Sequence, residues 1–210
     1  MAPYVYSTSL KTKQRIYDVA MDLFIRNGYA NTSLKEVAQA ADVSMGTIYR
    51  YFPKKGDFFA EIGYESIARL RCFVENLPED LPVAEAILAV LMEDVRGNLD
   101  IFFRKVEKDG RTVYEPNDLR GAYYGAYAMN ADHFANEMIS RAQLAQLYQG
   151  ILEKAVERGE LLCSDCALLG EIIAAIFFQE DDKSSFTADY PYEEVFRKKI
   201  GTLLEGKLLG

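Results

Sequence analysis

The residue pattern predicts an all-α protein in two parts: a three-helix N-terminal domain containing a helix-turn-helix (residues 10–70) and a larger helical body (71–210). Three observations predict this. Every long segment places apolar residues at helical spacing, and no stretch sustains period-two alternation. Residues 32–52 read as two short capped helices joined by a tight turn.

After an irregular opening of about ten residues, a helix is expected from Ser9 to Asn27, with Ile16, Val19, Ala20, Leu23 and Phe24 on one face. Gly28 closes it, because glycine accepts the left-handed conformation that follows a helix. Ser33 and Glu36 form a Ser-x-x-Glu capping box. Leu34, Val37, Ala38 and Ala41 then make one apolar stripe. Asp42 occupies a turn that wants a residue tolerant of positive φ, and Val43 plugs the angle between the helices. Ser44 caps the next helix, which turns Ile48 and Phe52 inward and stops at Pro53, since proline disfavours α geometry in the residue before it.

A fourth helix, Asp57 to Asn76, buries Phe59, Ile62, Ile67, Leu70 and Val74 and is long enough to enter the body. Pro78 and Pro82 break the chain. Helical pattern resumes from Val83 to Lys108, with Gly97 suggesting a break between two helices, and a polar loop follows from Asp109 to Pro116. A capped start near Asn117 opens a helix with Tyr123, Tyr127 and Phe134 on one face and Tyr124 beside them. Another runs from Arg141 to Arg158, ending at Gly159. The last two, Asp165 to Glu180 and Tyr192 to Leu209, flank the polar stretch from Asp181 to Tyr190. The first of these is apolar almost all round, so it must be covered on more than one side.

The outward residues of the helix-turn-helix are Lys35, Met45, Thr47, Tyr49, Arg50 and Tyr51. Gly46 permits close approach, and Lys54 and Lys55 follow. Hydroxyls and cations for phosphates, plus a few side chains for base edges, are what a helix in a DNA major groove needs. Charge is divided accordingly. Residues 1–55 carry eight Lys/Arg against four Asp/Glu, a net +4, which leaves −12 on the remainder of a chain of net charge −8. A basic tip on an acidic body discourages any other orientation on DNA. No nucleophile–base motif, phosphate loop or metal-ligand spacing appears, so neither an enzyme nor a cofactor is expected. His133 is the sole histidine. Cys163 and Cys166 form a Cys-x-x-Cys, with Cys72 apart. Free buried thiols are the ordinary reading, and a redox-responsive regulator is the alternative. Nothing resembles a signal peptide, and the most apolar stretch, 167–178, is too short to span a bilayer. A cytoplasmic protein without a membrane partner is expected.

The string Thr32 … Val37-Ala38 … Ala41 … Val43-Ser44 … Gly46-Thr47-Ile48-Tyr49 … Tyr51-Phe52 … Lys54-Lys55 resembles the N-terminal domain of the tetracycline-repressor (TetR) family of bacterial transcriptional regulators, over residues 11–73. Asp42 departs from the glycine usual there. The resemblance implies that Ser44, Thr47, Tyr49, Tyr51 and Lys55 meet phosphates while Lys35, Met45, Gly46 and Arg50 face base edges. Arg50 is the candidate for guanine, whose O6 and N7 suit its fork. It implies an effector cavity in the body, for which Phe102, Phe103, Tyr123, Tyr124, Tyr127, His133, Phe134 and Phe177 are lining candidates. It also implies a homodimer built on the last two long helices, here through Leu169, Ile172, Ile173, Ile176, Phe196, Ile200, Leu203 and Leu204. The expected partners are then a palindromic double-stranded DNA operator, a second copy of the chain, and an unknown small apolar or aromatic effector that releases a repressor. The other reading left open is an architectural DNA-binding protein with no effector.

Overall fold

The computed structural model describes residues 8–129, 131–182 and 190–209. Helix α1 (Thr8–Asn27) ends at Gly28, which holds φ +92°. Helices α2 (Leu34–Ala40) and α3 (Met45–Tyr51) follow, then a single 3₁₀ turn (Lys55–Asp57) and α4 (Phe58–Glu75). Ile16, Ala20 and Phe24 of α1, Val37 and Ala38 of α2, Ile48 of α3, and Phe52 and Phe58 close a head core from which water is excluded. Phe52 stacks on Phe58 with ring centres 3.9 Å apart, and Phe24 meets Phe58 edge-on at 5.5 Å. Rings of this size each contribute about 1.5–3 kcal/mol on burial, enough to hold helices of seven residues that would not form alone.

The body is organised on α5 (Val83–Phe102), which buries Val83, Ile87, Val90, Leu91 and Val95. Helix α6 (Asp118–Met129) leads into α7 (Ala131–Glu157), α8 (Cys166–Asp182) and α9 (Tyr192–Leu204). Helices α4, α7 and α9 pack on α5, while α8 lies against α7. The α7–α8 approach is close, because a Cβ on Gly170 would fall 2.6 Å from the Ala145 carbonyl oxygen. Head and body share one contiguous buried cluster. No helix among the described residues is long and apolar enough to cross a membrane.

Four sequence expectations are corrected here. Helix α5 runs unbroken through Gly97, whose missing side chain makes room for the Arg69 guanidinium: a Cβ there would lie 1.9 Å from it. Residues expected as the end of a helix and a loop form instead an antiparallel hairpin, β1 (Phe103–Lys108) and β2 (Arg111–Pro116). Its turn is Asp109-Gly110 with φ +51° and +71°, the positive-φ pair that matches the right-handed twist of the strands. Helix α7 begins at Ala131 rather than near Arg141. Finally, the last helix, expected to run to Leu209, is shorter: α9 packs mainly on α5 and touches α8. It ends at Leu204, beyond which Gly206 at φ +71° turns the chain so that Leu208 bridges to Leu161.

Candidate nucleic-acid interface

The helix-turn-helix is fixed by its own caps. The Glu36 amide donates to Ser33 Oγ at 3.2 Å while the Ser33 amide donates to Glu36 Oε2 at 2.7 Å, a complete capping box. Those bonds from Ser33 hold the Glu36 carboxyl below its ordinary range. Asp42 turns the chain at φ +49°, so the residue standing in for glycine adopts glycine's geometry. The Val43 amide then bonds the Ala38 carbonyl at 3.0 Å. Ser44 Oγ accepts from the Thr47 amide at 3.1 Å and lies 2.9 Å from the Thr47 hydroxyl.

With Ile48 and Phe52 turned into the core, α3 presents a face made of the other residues. Lys35, Ser44, Gly46, Tyr49 and Arg50 are exposed, Tyr49 by 53%, and Met45, Thr47 and Tyr51 are half-buried. Tyr51 is steadied at 2.8 Å by the Ser9 hydroxyl, and the Arg50 guanidinium lies 5.6 Å from the Tyr51 ring centre. Gly46 has no internal purpose. The nearest atom to a Cβ placed there is Ser44 Oγ at 3.7 Å, yet a helical glycine costs roughly 0.5–1 kcal/mol relative to alanine. The open backbone suits an outside molecule that comes close.

Lys55 is placed differently. Its ammonium donates to the Tyr29 carbonyl and sits 4.1 Å from the centre of the Tyr29 ring. Partial burial lowers its pKa. The amide side of Tyr29 is held from the body: Asp118, at the start of α6, accepts from the Tyr29 and Ala30 amides at 2.9 and 2.8 Å. Sequence reasoning missed Asp118. Its only local signal is the capped start at Asn117, whose Oδ1 accepts from the Arg120 amide at 3.0 Å.

The description "Bacterial regulatory proteins, tetR family" matches residues 16–62, the segment that holds this geometry. Residues 16–62 are thus similar to the N-terminal domain of tetR-family regulators. The chain is 45% identical over 118 residues to the HTH-type transcriptional regulator AcrR of Shigella flexneri, covering 51% of this chain and 55% of AcrR. It is 31% identical over 81 residues to the probable acrEF/envCD operon repressor of Escherichia coli K12, covering 39% and 37%. The chain thus spans about half the length, or less, of these curated relatives. In fold it is similar to a TetR-family regulator from Mesorhizobium loti (TM-score 0.68, 15% identity, 97% of this chain and 100% of that one). It is similar also to Thermus thermophilus FadR, solved in complex with lauroyl-CoA (TM-score 0.66, 23% identity, 94% and 96%).

Of the aromatic candidates in the body, the structure brings Phe102, Tyr123 and Tyr124 together, with centres 5.0, 6.0 and 5.4 Å apart pairwise. Tyr123 also reaches Phe59 of α4 at 5.7 Å, so this cluster bridges body and head. Phe103, at the hairpin root, lies under Arg120, whose guanidinium also sits 4.9 Å from the Tyr124 ring centre. The side chains of Tyr127, His133, Phe134 and Phe177 lie outside the described residues. A polar centre that sequence reasoning missed sits between α4, α5 and α7. Arg69 lies 3.7 Å from Glu93 and 3.8 Å from Asp94, both carboxylates being almost fully buried. The Tyr148 hydroxyl is buried with no hydrogen-bond partner among the described residues, and burial, then the Asp94 charge, raises its pKa well above the ordinary value.

Among the eight residues expected at a dimer interface, Leu169, Ile173, Phe196, Ile200 and Leu204 are buried within the protomer. Ile172 is 42% exposed, and Ile176 and Leu203 are half-buried. Cys163 and Cys166 are half-buried free thiols. Burial, with Cys163 beside it, pushes the Cys166 thiol up to about 11, so it stays protonated at neutral pH, the opposite of an activated thiolate.

Proposed function

We propose that this chain is a homodimeric transcriptional repressor that reads a palindromic double-stranded DNA operator and is released by a small apolar or aromatic effector. The observation that carries the reading is the division of α3: Ile48 and Phe52 fill the core, while Ser44, Gly46, Thr47, Tyr49 and Arg50 face outward from a capped, rigid frame. In this reading Ser44, Thr47, Tyr49, Tyr51 and Lys55 position the head on phosphates, and Lys35, Met45, Gly46 and Arg50 meet bases. Lys55 must turn from the Tyr29 carbonyl to do so.

Dimerisation falls to the outer face of the α7–α8 pair, which exposes Ile139, Leu168 and Ile172 by 45%, 53% and 42%. A groove of about 410 Å³ beside them, lined by Ala142, Ala145, Ala174 and Ala175, leaves room for side chains of a second copy. A two-fold pair sets its two heads into successive major grooves about 34–36 Å apart, or a multiple of that. The Phe102–Tyr123–Tyr124 cluster supplies the aromatic lining for the effector, and its contact with Phe59 of α4 is the route to the head. The effector acts by binding one of two states better, and a coupling of about 1–3 kcal/mol changes operator affinity roughly 5–150-fold.

The test is selection of binding sites from random-sequence duplex DNA by the full chain, followed by titration. A palindrome preferred by roughly 10³ or more over bulk DNA is expected. Equal affinity for all sequences would leave an architectural protein instead. Arg50→Ala should cost about 1–3 kcal/mol at one base position, whereas Lys55→Ala should weaken all sequences alike and lower the salt slope by about one.

A further inference from the structure

The β1–β2 hairpin interrupts the succession of helices among the described residues, and its pleat sorts its charges. Paired residues share a face, so Arg104, Val106 and Lys108 lie on the same side as Glu115, Val113 and Arg111. Arg104 and Lys108 both pair with Glu115, and their side chains remain 67% and 59% exposed. Arg111 is exposed beside the turn. The side therefore carries three cations and one carboxylate around a valine pair. On the opposite side one cation is balanced by one carboxylate, both exposed: Lys105 lies over the Tyr114 ring, and Glu107 accepts from the Thr112 hydroxyl at 2.7 Å. A cationic face stands out on a chain whose residues after Lys55 carry a net −12. Glu115 also restrains the two long side chains it pairs with, which reduces the rotamer entropy they would lose on binding an anion.

The root of the hairpin is tied to the head. Phe103 is buried, and the Asn117 amide bonds the Phe102 carbonyl at 3.0 Å. Two residues beyond Pro116, Asp118 grips the amide of Tyr29, whose carbonyl receives Lys55. The hairpin thus springs from beside a residue assigned to the DNA backbone. Strands of six residues extend about 20 Å from that point.

We propose that this face is a second DNA-backbone contact, in which Arg104, Lys108 and Arg111 meet phosphates flanking the segment read by α3. The proposal rests on the DNA-binding reading above. It predicts a footprint longer than the base-specific site, with flanks whose sequence is immaterial.

The test uses the full chain and the duplex it selects from random-sequence DNA, prepared as the core site alone and with about one further helical turn of arbitrary sequence at each end. Wild type should bind the longer duplex more tightly, with a steeper salt dependence. Lys108→Gln with Arg111→Gln should lose that gain and lower the log–log salt slope by about two per protomer, while binding the core site as before. The charge-preserving pair, Lys108→Arg with Arg111→Lys, should keep it. Equal affinity of wild type for both lengths, or an unchanged slope in the Gln variant, overturns the proposal and leaves the α3 reading intact. A Gln variant that alters self-association but not the slope also overturns it, assigning the face to a protein contact. If wild type binds no duplex at all, the DNA-binding reading fails and takes the proposal with it.

Discussion

Replacing Gly97 by alanine sets two effects of opposite sign against each other, and the structure decides between them. A glycine inside a helix with free space around it gains about 1 kcal/mol on becoming alanine. Here the added Cβ would sit 1.9–2.0 Å from three atoms of the Arg69 guanidinium, so Arg69 must leave. It can swing outward, because its side chain is 34% exposed. Its departure strips Asp94, which is 5% exposed, of the cation 3.8 Å away; Glu93 keeps Arg96. Removing one partner of a fully buried pair costs about 3–5 kcal/mol, and the long, half-open geometry here cuts that to about 2–3. The net expectation is a loss of about 1–2 kcal/mol. Urea unfolding followed by far-UV circular dichroism, at fixed protein concentration because association contributes, measures it. In a cycle with Arg69→Ala, the Gly97→Ala penalty should vanish or reverse, since the obstruction has gone. A single variant as stable as wild type, or more so, refutes the packing argument.

Ser44→Ala removes the cap of α3 and should cost about 1 kcal/mol of stability, read as a lower Tm; a loss restricted to DNA binding would mean the cap is not structural. Tyr148→Phe removes a buried hydroxyl with no partner among the described residues, so urea unfolding should show stability unchanged or slightly raised, and a loss above about 1 kcal/mol would reveal a partner. The pKa of Glu36 is lowered in the folded state, chiefly by the Ser33 backbone hydrogen bond. Its contribution is therefore present above the unfolded carboxyl pKa and lost as pH falls through the folded one. The Tm gap between wild type and Glu36→Gln should accordingly close in acid and be constant near neutrality; a gap that persists in acid contradicts the capping assignment.

The head was legible because its signals are local. Capping residues, a proline stop and a stripe at Leu34, Val37, Ala38 and Ala41 each act within one turn of chain. Asp42 could be read as a positive-φ residue for the same reason. The body was less legible, because periodicity reports that a face is covered but not by what. Phe196, Ile200 and Leu204 have the spacing of an interface helix, yet they are consumed by α5. Gly97 looked like a breaker since the requirement it meets comes from Arg69, 28 positions earlier. The hairpin was hidden by composition, as strands with most side chains in solvent show little apolar alternation. Asp109-Gly110 was the one clue, and it calls for a turn between paired strands. Asp118 carried no signal of its partner, as its acceptor role depends on two amides nearly ninety residues away.

The peptide unit joining Tyr29 to Ala30 is clamped at both ends, by the α6 carboxylate of Asp118 on the Ala30 nitrogen and by the Lys55 ammonium on the Tyr29 oxygen, and Asp118 also takes the Tyr29 amide. Such a unit behaves as a stiff strut. If α6 slides, the 29–30 backbone must travel with it or forfeit two charge-assisted bonds, on the order of 1 kcal/mol each at an exposed site. That sum sets a ceiling on how much torque the strut can deliver before it lets go.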